Sequence, residues 1–172
     1  MELIMESTQT HYPRQKICGI WLIIVGISMF TLLNGGYKLP VLFAILYAVG
    51  MLFQLNPITR RRLSVGPGTD SQKKWSNISL IVLVVLCSVS GIISDGNIQK
   101  VWLFILLSVG IHFFFFIPVH GKLMGLLGIA STLNVLFELS VNEYPLNVFF
   151  AVDGMIKLVF GILLVSLSPI DF

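Results

Sequence analysis

Charge is what this sequence has least of. Only 11% of its 172 residues are Asp, Glu, Lys or Arg, while 56% are hydrophobic and the mean hydropathy is +0.92. A water-soluble domain needs roughly 25% charged residues to cover its surface, so a soluble fold is excluded and lipid is expected to cover most of the chain. Cysteine is nearly missing as well, with Cys18 and Cys87 alone. Their expected depths differ by more than about 10 Å, which a disulfide cannot bridge, so both are read as small packed side chains. There is no Gly-x-Ser-x-Gly elbow, no His-Glu-x-x-His helix, no phosphate-binding loop and no Cys-x-x-Cys pair. Those absences remove the common hydrolase, zinc, nucleotide and redox signatures. No catalytic residue, metal site or cofactor is expected. His112 and His120 stand about 12 Å apart along one segment, so a bis-histidine haem would need a second copy of the chain.

What is present is a series of long apolar runs. Ile17–Leu33, Leu39–Leu55, Ile78–Ile93, Val101–Pro118, Leu123–Leu139 and Leu146–Leu167 each approach the roughly 17 to 25 residues that carry a helix across a hydrocarbon core about 30 Å thick. The second and third are slightly short and need flanking residues or local thinning. Unbroken apolar stretches such as Ile78–Leu86 do not alternate as barrel strands would. The fold expected is therefore all-α, an integral membrane bundle of about six transmembrane helices. Residues 1–16 form an N-terminal segment, and 17–172 form one transmembrane domain. Turn signals separate the runs at Asn34-Gly35-Gly36, Asp95-Gly96-Asn97, His120-Gly121-Lys122 and Asn142-Glu143-Tyr144-Pro145. The one longer connection, about 56–76, is polar and too short to fold alone.

Lysine and arginine concentrate on one side of that arrangement. Arg14, Lys16, Arg60, Arg61, Arg62, Lys73, Lys74 and Lys122 fall on one side, and Lys38 and Lys100 on the other. Cytoplasmic loops carry such an excess, which predicts both termini and the long loop inside, and an even number of spans. Cleavage after Asn34-Gly35-Gly36 is not expected, and Asn77-Ile78-Ser79 falls on the wrong side for glycosylation. The net charge of +3 follows from this bias, so nucleic acid is not an expected partner. Arg60, Arg61 and Arg62 serve as a topology anchor, and beyond that as contacts for anionic lipid headgroups of the bilayer.

Polar groups inside the membrane carry whatever function is legible, because an ionisable side chain there costs at least about 2.5 kcal/mol. On the last helix Asp153 and Lys157 are four apart and share a face with Gly154 and Gly161, so acid and ammonium can neutralise each other. On the fifth, Gly121, Gly125, Gly128 and Thr132 form a smooth strip suited to close helix contact, while Ser131, Asn134 and Glu138 form a polar one. Glu138 is expected to reach the outer interface. On the fourth, Ser108 and His112 lie one turn apart. His112, Asn134 and Lys157 each fall about 16 Å deep, near the midplane. The expected site is thus His112, Asn134, Asp153, Lys157 and Ser108, lining a small hydrated cavity or forming a hydrogen-bonded packing knot.

The stretch Gly110-Ile-His-Phe-Phe-Phe-Phe-Ile-Pro-Val-His-Gly-Lys122, leading into the glycine-spaced helix to Asn134, resembles small bacterial multi-span membrane proteins of families without an assigned function. The resemblance implies a bacterial inner-membrane protein with His112, Pro118, His120 and Gly121 as a shared feature, and supplies no activity. Two functions fit: a small transport or permeation protein with a polar midplane site, or a non-transporting scaffold that acts through a homo-oligomer or a membrane partner protein.

Overall fold

A computed structural model describes residues 12–141 and 144–168 of the chain. Most of the expected N-terminal segment, Asn142 and Glu143 of the last turn, and residues 169–172 lie outside the described residues. Among the described residues the fold is all-helical. In order come α1 (Gln15–Met29), a 3-10 stretch (Phe30–Lys38), α2 (Val41–Leu55), α3 (Pro57–Leu63), α4 (Asp70–Ile93), α5 (Ile98–Phe115), α6 (Ile117–His120), α7 (Lys122–Val141) and α8 (Leu146–Ser166). Five helical stretches, α1 with its 3-10 extension, α4, α5, α7 and α8, are long and apolar enough to cross a membrane. A sixth appears if α2 and α3, bent by 62°, count as one span.

The chain between 56 and 76, expected to be a loop, is largely helical. Asn56 is extended because Pro57 follows it, and its side chain accepts the Ile58 N–H at 2.8 Å, so a new helix starts in a new direction. Thr69 and Gln72 then form a capping box, with Thr69 Oγ1 accepting from the Gln72 N–H at 3.2 Å and Gln72 Oε1 from the Thr69 N–H at 3.0 Å. That cap starts α4 eight residues before the apolar run does. The result is a helix of 24 residues, about 36 Å long, which needs no thinning of the bilayer. The expected turn at Asn34-Gly35-Gly36 is present, with Asn34 and Gly35 at φ of 53° and 89°.

Two antiparallel glycine contacts bring α1 and α8 together. A Cβ on Gly19 would meet the Gly161 carbonyl oxygen at 2.7 Å, and one on Gly26 would meet that of Gly154 at 2.9 Å; the reciprocal approaches are 2.8 and 3.0 Å. Glycines seven apart on α1 therefore match glycines seven apart on α8, and backbone packs on backbone. The strip expected on α7 packs in the same manner, since a Cβ on Gly128 would lie 3.1 Å from the Gly110 oxygen of α5, and one on Gly110 would strike Thr132.

Around this centre α2 packs on α1, and α4 packs on α5 and α6. The α2 and α4 helices have no comparable packing against each other.

Candidate functional site

The break after α5 shapes the site. The Phe116 N–H turns to the Phe113 carbonyl at 3.0 Å, leaving the His112 carbonyl to accept from Ser79 Oγ of α4, also at 3.0 Å. Pro118, inside the short α6, has no N–H to continue the α5 ladder. Gly121 ends α6 at φ 94°, a conformation that favours glycine, and a Cβ there would sit 3.0 Å from the Tyr12 ring. The Val65 N–H donates to the Pro13 carbonyl at 2.9 Å. The segment before α1, the connection from α3 to α4, and α6 are thereby gathered at the end of the bundle that carries most of the basic residues.

A cavity of about 330 Å³ opens at that end and runs inward to His112. Its mouth holds Arg14, Arg60 and Lys73; its walls hold Trp21, Tyr47, Met51, Leu80 and Phe116; His120 lines its side. Arg60 is partly held by donating from Nε to the Gln54 carbonyl at 3.1 Å, while Arg61 and Arg62 are exposed and do not line the cavity. The three arginines expected to act together are therefore divided. Burial first, and the neighbouring Arg60 guanidinium second, push the Arg14 pKa down, as two like charges near each other must. Lys73 is engaged by Asp70 at 2.8 Å. Among the described residues no carboxylate lines the cavity. His120, in the α5–α7 connection, is pushed down to about 4 by burial and then by the charge of Arg14, so it is neutral at pH 7. Its Nδ1 and the Trp21 Nε1 are buried and have no hydrogen-bond partner among the described residues.

The residues expected at the midplane separate into three places. His112 is 2% exposed and sits at the cavity's inner end. Its Nδ1 lies 2.6 Å from the Val109 carbonyl. A carbonyl only accepts, so Nδ1 carries the proton and Nε2 is the acceptor of the neutral ring. Asp153 and Lys157 form a buried ion pair on α8, Lys157 Nζ donating to Asp153 Oδ2 and standing 5.9 Å over the Phe113 ring. Lys157 is within electrostatic reach of His112, but neither member of the pair lines the cavity. Asn134 lies elsewhere: its Nδ2 donates to the Phe149 carbonyl at 3.1 Å, tying α7 to α8 beside a shallow apolar groove. Ser108 bonds back to the Phe104 carbonyl at 2.7 Å and meets Ser90 of α4 at 3.3 Å, so it fastens α5 to α4.

Glu138, near the end of α7, is buried. Tyr144 stacks on Phe137, and its backbone reaches the Glu138 carboxylate. Cys18 and Cys87 are free thiols. His120 is tied to His112 in the sequence only through the resemblance, and Trp21 and Arg14 carry no site signal there, because nothing in the order of the residues brings α1, α3 and α6 together. The only local signal was the His120-Gly121 turn.

A family model matches residues 5–171. The chain belongs to the family of unknown function DUF6609. No curated protein and no solved structure matches it. The membership agrees with the resemblance to families without an assigned role, and the geometry of the chain's own residues must carry any functional argument.

Proposed function

We propose that this chain is a small multi-pass protein of the bacterial inner membrane that admits a solute from the cytoplasm into a one-sided cavity, and that it works in transport or permeation. One observation carries the reading: a cavity of about 330 Å³ reaches His112 from the basic end of the bundle, and ligand sites fall in the range of roughly 300 to 1,000 Å³. Both termini and the basic connection then face the cytoplasm by the charge bias. A second reading, a non-transporting component that works through a partner or a second copy, is favoured by the packing beyond His112. There Asp153 and Lys157 neutralise each other and Asn134 is spent on Phe149.

The test uses purified full-length protein in sealed vesicles, with pH-driven flux of protons and small solutes followed for the parent and for His112→Phe and Asp153→Asn. His112→Phe fills the inner end of the cavity and is expected to reduce flux towards that of empty vesicles. Identical background flux in all three folded proteins, across several solutes, abandons transport for the second reading.

A further inference from the structure

The cavity is polar at one end and apolar along its walls, and that division selects a class of ligand. At the mouth, Arg14 and Arg60 face the space without a lining carboxylate among the described residues, Asp70 being engaged by Lys73. Two like charges held together in this way are complementary to an oxyanion, which guanidinium groups bind through paired N–H donors. Trp21 and His120 also line the cavity and are buried, at 8% and 4% exposed. Beyond them the walls are Tyr47, Met51, Leu80 and Phe116, which favour an apolar body over water. The flank between α2 and α4 is not closed by packing of one on the other. Ile45 and Val49 of α2, and Ile81 and Val84 of α4, are exposed apolar side chains.

Resting on the one-sided cavity above, we propose that its ligand is an anionic amphiphile taken from the bilayer. The phosphate or carboxylate of a lipid sits at Arg14 and Arg60, and its chain lies along Tyr47, Met51, Leu80 and Phe116 between α2 and α4. A free phosphorylated solute offers the same head but leaves the apolar walls wet.

Trp21 in the cavity wall reports occupancy. Full-length protein carrying Trp75→Phe is placed in phosphatidylcholine vesicles doped with dibrominated-chain phosphatidylglycerol or, separately, with the same amount of dibrominated phosphatidylcholine. Quenching of Trp21 is isolated by subtracting the signal of the Trp21→Phe variant. Two basic residues at a membrane surface predict a preference for the anionic lipid on the order of 30-fold in apparent association. The preference is expected to vanish in Arg14→Gln/Arg60→Gln. It should largely survive in Arg14→Lys/Arg60→Lys, which guards against misfolding, and in Arg61→Gln/Arg62→Gln, whose side chains lie outside the cavity. Equal quenching by the two lipids overturns the proposal, as does a preference that survives loss of Arg14 and Arg60 or disappears with Arg61 and Arg62. Reversal of the quenching by millimolar inorganic phosphate overturns the lipid source in favour of a free anion. Solute flux in the same vesicles separates the two ideas: lipid preference without flux refutes transport alone, and flux without lipid preference refutes the ligand assignment alone.

Discussion

The ion pair of α8 gives the sharpest test of how this interior is held together. Asp153 and Lys157 are 1% and 2% exposed. Among the described residues Asp153 Oδ1 has no hydrogen-bond partner, and Lys157 Nζ stands over the face of Phe113. Asp153→Asn strands an ammonium among apolar side chains, and Lys157→Met strands a carboxylate. Breaking a buried pair by removing one member costs about 3 to 5 kcal/mol, because the survivor keeps its desolvation penalty and loses its compensation. The double variant Asp153→Asn/Lys157→Met carries neither charge and replaces the lysine stem with an apolar chain of similar length. Its loss should be on the order of 1 to 2 kcal/mol, so a coupling of several kcal/mol is expected between the two sites. The assay is a double-mutant cycle on reversible unfolding in mixed detergent, followed by far-UV circular dichroism. Additivity within about 0.5 kcal/mol, the level seen for sites that do not interact, refutes the coupling.

Other consequences are open to equally direct measurement. Gly26→Val places a Cβ 2.9 Å from a backbone oxygen of α8, so α1 and α8 must separate, at about 1 to 3 kcal/mol. Gly91→Ala, which meets nothing within 4 Å, should be neutral or slightly stabilising, and equal melting temperatures for the two variants would contradict the packing argument. His120 is held down to about 4 in the folded chain against an ordinary value of 6.5, so the unfolded chain binds the proton first. Stability should be undiminished above pH 6.5 and fall by about 3 kcal/mol as pH drops towards 4. A His120→Phe variant that follows the same pH profile would disprove the assignment. For orientation, single cysteines at Ser71 and at Asn97, in a background lacking Cys18 and Cys87, are probed in intact cells with an impermeant thiol reagent. Labelling at Asn97 alone is expected; labelling at Ser71 alone, or equally at both, reverses or removes the inside assignment of the basic connection.

Local order in the chain determined a good part of this protein. Low charge and long apolar runs settle an all-helical, lipid-compatible chain, because backbone groups away from water must be satisfied within a helix. Turn residues marked the breaks at Asn34-Gly35 and Gly121, since left-handed backbone is a property of the residue itself. The Asp153–Lys157 contact was legible for the same reason, as a spacing of four fixes both side chains on one helical face. The helical start at Asp70 was written locally too, in Thr69 and Gln72, but the apolar count was blind to a capping box and put the boundary at Ile78. What only the tertiary structure decided is which faces meet. Gly19 and Gly26 gain meaning from Gly154 and Gly161 at the far end of the chain. Arg60 parts from Arg61 and Arg62 because α3 turns one of the three inward. Similar depth suggested that His112 and Asn134 share a site, yet depth fixes one coordinate and leaves the helix's position and rotation free. Those are set by the contacts of α7 with α5 and α8, and they send Asn134 to Phe149 while His112 ends a cavity built from Arg14, Trp21 and His120.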